Sequence, residues 1–350
     1  TPGGTECEGQ ACVEGTCIGE CRPEVVRCWG NRPQRCDERG QWEDAEPCPE
    51  AAPLCSRGTC MTTPPSCVGM ATTCGPAGDE DCCASEAVPG GTFNRDNNPA
   101  YPATVSGFSL DRFEVTVGRF RRFVEAYPGS RPVAGEGVHP LIEGTGWDAG
   151  WDSNLPADAT ALKAAVARCK SSDQTWTDEP GGNEHLPMNC LSWYEAFAFC
   201  AWDGGRLPTD AEWNYAAAGG IEQRPYPWST PAGSTIDASH AVYHCTGDGS
   251  APGDCTPGDI QPAGSRSPAG DGKWGQADLS GNLWEWVLDS YVLTYPSPCD
   301  DCASLADAST RAVRGGGYLE PEDYQRSWSH IRGYPSERHY VVGARCVKTR

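Results

Sequence analysis

What this chain has little of narrows its role first. No stretch approaches the ~18 consecutive apolar residues of a membrane-crossing helix, so no segment is read as a span. Basic residues are scarce: 27 Lys and Arg stand against 48 Asp and Glu, a net charge of −21. A surface of that sign repels nucleic-acid phosphates and acidic lipid headgroups, which excludes both as partners and suits contact with cations. The sequence has only six histidines, and it opens without an initiator methionine or an apolar leader. Thr1 therefore reads as a processed N-terminus.

Cysteine, glycine and proline are in excess instead, at 21, 42 and 30 residues. The 38% hydrophobic content supports one sizeable, loop-rich core, and 350 residues allow two or three domains. Clustered cysteines in such number are hard to keep reduced, which places the protein in an oxidising compartment, secreted or surface-displayed. Thirteen of them precede residue 85. The spacing Cys7-x4-Cys12-x4-Cys17, ending Gly-Thr-Cys, is echoed by Cys48-x6-Cys55-x4-Cys60 with the same ending. Cys21 to Cys60 makes a self-contained six-cysteine unit, whereas three cysteines before it leave one without a partner. That oddity predicts further sequence upstream of Thr1. Zinc is the competing reading, but this region lacks paired C-x2-C knuckles. The expected organisation is a disulfide-stapled repeat region over 1–61, a linker and cysteine collar over 62–84, and a core over 85–350.

In the core, strands are expected from Gly91 to Phe93 and from Ala103 to Phe113. An amphipathic helix from about Val117 to Tyr127 would bury Phe120, Phe123, Val124 and Tyr127. A second helix is expected from Ala157 to Cys169, and short strands around Trp284, Val313 and Val341. Cys245 and Cys255 would close a small loop. The most informative stretch runs from Leu186 to Gly220. Ser192 with Glu195, and Thr209 with Glu212, both read S/T-x-x-E, two capping boxes in tandem. Behind the first, Phe197, Cys200 and Ala201 fall on one face, which predicts an amphipathic helix; Trp213, Ala216 and Ala217 do the same behind the second.

This stretch, with its connector Gly205-Arg206-Leu207-Pro208, resembles the formylglycine-generating-enzyme (sulfatase-modifying factor) family. So do Val88–Phe93, Leu110–Thr116, Ala277–Trp286, Arg314–Leu319 and Val342–Cys346, in the family's order. The resemblance covers roughly residues 85 to 350. It implies a loop-rich α+β, C-type-lectin-like fold and a disulfide between Cys200 and Cys346.

The family's enzymes oxidise a substrate cysteine with O2 and a copper ion held by two cysteines. The positions that match those cysteines are Glu320 and Gln325, and the family tyrosine is Tyr324. Cu(I) needs soft thiolates, so this departure argues against copper and against formylglycine generation. An oxidising branch of the family works through a carboxylate instead, and Glu320 with Tyr324, Gln325 and His330 is a candidate cleft for such altered chemistry. Glu320, Glu322 and Asp323 read equally as a solvated acidic turn. His240 and His244 form the only i, i+4 histidine pair and have no third ligand in view.

A calcium site is better preserved. The family pattern maps onto Asp278, the carbonyls of Gly281 and Leu283, and Glu285, a set of hard oxygens from one turn. A second family calcium site has Val242 in place of its asparagine. The expected function is a secreted, non-catalytic binding or structural protein with a calcium-stabilised core. Its ligand would be an extracellular protein, peptide or glycan, with self-assembly into a surface appendage also compatible. The alternative is an oxidase or oxygenase of altered chemistry in the same cleft.

Overall fold

The computed structural model describes residues 10–348 apart from 14–15, 170–172, 231–234 and 306–308. Cys7 and residues 14–15 of the first repeat lie outside them.

Among the described residues, four α-helices stand in a frame of short strands. Helix α1, Val117–Ala126, starts at Thr116, whose hydroxyl accepts the Arg119 amide, and buries Phe120, Phe123 and Val124. Helix α2 spans Ala159–Val166, shorter than the expected Ala157 to Cys169, because Asp158 caps it by accepting the Ala161 amide. Helices α3, Trp193–Trp202, and α4, Asp210–Ala217, begin at the two capping boxes, and both boxes are complete. Glu195 and Glu212 each reach back to the cap amide at 2.9 Å.

The expectation that α3 and α4 are amphipathic is corrected by the structure, since every residue of both helices is buried. Polar exposure fails because other chain segments cover the faces that would otherwise meet water. Trp147 and Trp151 pack on Phe197 from one side. The cysteine-rich region closes the C-terminal end of α3, where the Ser56 hydroxyl donates to the Trp202 carbonyl at 2.6 Å. Arg27 in the same region donates to the Ala134 carbonyl at 2.7 Å, so this region is docked on the core.

The expected strand from Ala103 to Phe113 divides into Pro102–Val105 and Phe108–Asp111, which enter different sheets. Gly90 crosses at the break, where a Cβ would stand 2.7 Å from the Val105 carbonyl. Pro102–Val105 pairs with Gly91–Asn94 and Cys299–Asp300. Phe108–Asp111 lies between Ser85–Val88 and Val347–Lys348, with Gly205–Arg206 beyond. A second four-stranded sheet runs His330–Gly333, Arg311–Arg314, Trp284–Ser290, Val342–Gly343, and carries the strands expected near Trp284, Val313 and Val341.

Disulfides staple this frame. Cys21–Cys36, Cys28–Cys55 and Cys48–Cys60 make the six-cysteine unit self-contained. Cys67–Cys83 and Cys74–Cys82 form the collar. Cys200–Cys346 joins α3 to the last strands, and Cys245–Cys255 closes its loop. Cys12, on the first hairpin, is free and exposed. A buried ion network supports the same joint. Arg119 reaches Asp111 at 2.8 Å and Asp203 at 2.6 Å, and Lys348 reaches Asp203 at 2.7 Å. Two cations match two carboxylates, so no charge is left uncompensated.

Candidate functional site

The loop 278–283 is wired to several other segments of the chain. Asp278 and Asn282 adopt positive φ, and at Gly281 (φ 88°) a Cβ would collide with the Val242 carbonyl. The Asn282 amide donates to the Val242 carbonyl at 2.8 Å and that of Gly281 to Gly315 at 2.9 Å. Val242, expected at the position of a second calcium site's asparagine, contributes its main-chain carbonyl to this loop. Asp278 accepts the Gly264 amide at 2.5 Å.

The other carboxylate of the expected calcium set has different partners. Glu285 takes a bidentate grip from Arg345, with Nε 2.8 Å from both oxygens, and the Trp213 indole N–H at 2.7 Å. Those bonds occupy its lone pairs. Sequence reasoning missed a third carboxylate at this loop, Glu114, which accepts from Asn282 Nδ2 at 2.7 Å and from the Leu283 amide at 3.0 Å. Its residue lay in plain sight in the Leu110–Thr116 signature, but nothing local tied it to residue 282.

Glu114, Asp278 and Glu285 are all buried with Arg345 between them. Burial, then Asp278 and Glu285, push the Glu114 pKa well up. Burial likewise pushes Asp278 up to about 6. Crowding three carboxyls around one guanidinium holds protons on Glu114 and Asp278 that a bound cation would displace. The donor set fits in part: Asp278 and the 281 and 283 carbonyls remain as oxygen donors, whereas Glu285 is committed to Arg345. Among the described residues no group of three or more His, Cys, Asp or Glu converges as a metal cage.

The candidate cleft lies beside this loop. Gln325 is buried; its Nε2 donates to the carbonyls of Gly317 at 3.1 Å and Glu320 at 3.2 Å. Glu320 turns toward Trp284, whose indole N–H draws the carboxyl pKa back down against the larger upward push of burial. Neither Glu320 Oε2 nor Trp284 Nε1 completes a hydrogen bond, and Gln325 Oε1 is likewise unsatisfied. Tyr324 stands edge-on to Trp284 and is 45% exposed. Glu322 and Asp323 are exposed and form the acidic turn, but Glu320 is not part of that solvated face.

His330 joins a different cluster. Its Nδ1 lies 3.4 Å from Asp96 and 3.3 Å from the Tyr295 hydroxyl. That cluster is organised by Arg314, which holds Asp210 through two bonds of 2.6 and 2.7 Å and Asp96 at 3.1 Å. The arginine of the Arg314–Leu319 signature therefore braces α4 against the second sheet. His240 bonds Asp237 at 2.9 Å and stacks on Trp228, while the His244 main chain bonds Glu320 and Gly253. The two histidines have separate tasks.

A family description, the sulfatase-modifying factor enzyme 1-like domain, matches residues 71–350. The chain belongs to this family. The formylglycine-generating enzyme of Streptomyces coelicolor is 29% identical over 269 residues, covering 71% of this chain and 80% of that protein. The inactive C-alpha-formylglycine-generating enzyme 2 of Bos taurus is 28% identical over 256 residues, covering 67% and 76%. Among solved structures, PvdO from Pseudomonas aeruginosa superposes with a TM-score of 0.50 at 21% identity, over 75% of this chain and 93% of that one. That superposition supports the fold. The family match starts at residue 71, within the cysteine collar, so the six-cysteine unit lies outside it.

Proposed function

We propose that this is a secreted, non-catalytic binding or structural protein built on the family's core. The observation that carries the reading is the pair of residues at the expected thiolate positions. Glu320 is a carboxylate, and the Gln325 amide is spent on two main-chain carbonyls. Apart from exposed Cys12, the described cysteines are bridged. The residues present do not fit a Cu(I) site, which favours paired sulfur ligands, and they offer no oxidative step through that metal. A curated relative of similar identity is named inactive, which agrees with this reading.

The proposal extends to organisation and location. A repeat region over 1–61 and a collar over 62–84 precede the core over 85–350. Extensive disulfide bonding suits an oxidising compartment, and no described helix is long and apolar enough to cross a membrane. The partner would be an extracellular protein, peptide or glycan, or further copies in a surface appendage. A calcium ion held by Asp278 and the Gly281 and Leu283 carbonyls would take the place of the protons on the crowded carboxyls and fix the loop, with Glu285 acting through Arg345. Calcium supplies no redox chemistry there.

A second reading draws on Glu320 itself. A carboxyl with an unsatisfied oxygen and a raised pKa, beside Tyr324, suits acid–base work in an oxidase or oxygenase of altered chemistry. Elemental analysis of natively purified protein, dialysed without chelator, separates the two when combined with an oxygen electrode. Calcium at about one per chain, with neither copper nor iron and no O2 uptake, is the expected result. Stoichiometric copper or iron would overturn the non-catalytic reading.

A further inference from the structure

A second recess, which shares no lining residue with the cleft, contains an arginine and a serine with unsatisfied polar atoms. It lies where the collar meets the core and has a volume of about 530 Å3. One wall is the loop closed by the Cys74–Cys82 disulfide; the other is the turn from Gln261 to Arg266, with His185 beside it. The walls are fixed to each other. The Gly75 amide donates to the Ala263 carbonyl at 2.9 Å, and the Ala263 amide to His185 at 3.1 Å.

The lining contains no Asp or Glu, in a chain whose net charge is −21. Its cation, Arg266, uses Nη2 on the Gly247 carbonyl at 3.2 Å and makes no ion pair among the described residues. Arg266 Nε and Ser265 Oγ are buried and without a hydrogen-bond partner. Adjacent unsatisfied donors, one of them charged, carry a desolvation cost that a ligand acceptor would relieve. Acids close to the recess are engaged elsewhere, and Asp271 pairs with Arg112 at 3.3 Å. Glu80, next to Gly75, pairs with Arg112 at 3.2 Å, and Asp278 accepts the Gly264 amide. A guanidinium fork with a hydroxyl beside it matches an oxyanion.

We propose that this recess binds a small oxyanion, a carboxylate or sulfate group on a small molecule or sugar. The site is independent of the Glu320 cleft, so its failure and the failure of the non-catalytic reading are separate results. The test is calorimetric titration of the full chain with sodium sulfate and with sodium D-glucuronate, against sodium chloride at matched ionic strength. Saturable binding of either oxyanion, absent with chloride, is expected, and the tighter of the two identifies the headgroup. Arg266→Gln should weaken it by about tenfold or more, the loss expected of a charge-assisted bond. Ser265→Ala should weaken it less, and Arg266→Lys should fall between. Glu320→Gln should leave it unchanged. If Arg266→Gln does not fold, the Lys and Ser265→Ala variants decide. Binding no tighter than chloride, or full binding retained in both Ser265→Ala and the folded Arg266 variants, overturns the proposal.

Discussion

Glu285 and Arg345 are both sealed from water, and each satisfies the other's charge. Replacing Arg345 with Met strands Glu285 beside Glu114 and Asp278. Breaking a buried pair of this kind costs about 3–5 kcal/mol, and urea unfolding of Arg345→Met should show it. The double variant Glu285→Leu with Arg345→Met should recover part of the loss, because the stranded charge is gone. Glu320 presents the opposite case. Burial raises its pKa, so the folded protein is disfavoured once the carboxyl ionises. Glu320→Gln removes that penalty. The variant should gain stability over the parent at pH 8 and gain little at pH 4.5, read from denaturation midpoints at the two values. An equal change at both would mean that the carboxyl's charge is not what the core resists.

At the scale of elements, the capping boxes should behave as local units. Ser192→Ala removes the hydroxyl that accepts the Glu195 amide and should cost about 1 kcal/mol. Thr209→Ala should do the same to α4, and the two losses should add in chemical denaturation. These helix starts were legible because S/T-x-x-E is a local pattern whose physics needs four residues. Helix α1, the Cys200–Cys346 bridge and the self-contained six-cysteine unit were legible too. Burial of the polar faces of α3 and α4 was not, since Ser56, Trp147 and Trp151 reach them from distant sequence. At the site, Glu320 and Gln325 were legible by position alone. The Glu285–Arg345 pair and Glu114 were not, because their partners lie 60 and 168 residues away. His330 departs from its sequence neighbours for a related reason. It is near Tyr324 in sequence, but its strand turns it toward Asp96 and Tyr295.

Taken as a whole, the molecule concentrates acids that resist ionisation. Burial pushes both Asp289 and Glu136 up to about 7. The folded state therefore holds protons that the unfolded chain has released between about pH 4 and pH 7, and stability falls as pH rises through that window. Against burial, ion partners hold Asp203, Asp210 and Glu212 low, and their contribution is lost as pH falls below about 4. Calorimetry across pH should find the highest Tm near pH 5, about 5 °C above that at pH 8. A maximum at pH 8 would contradict this balance. The position of Val347–Lys348 inside the first sheet, with Cys346 bridged to Cys200, bears on how the protein is made. The strand near residue 110 must wait for a partner more than two hundred residues downstream. The core cannot close while the ribosome or a translocation channel still holds residue 348. Until then α3 lacks its bridge to Cys346, and a tag placed beyond residue 348 has to leave that strand free to thread.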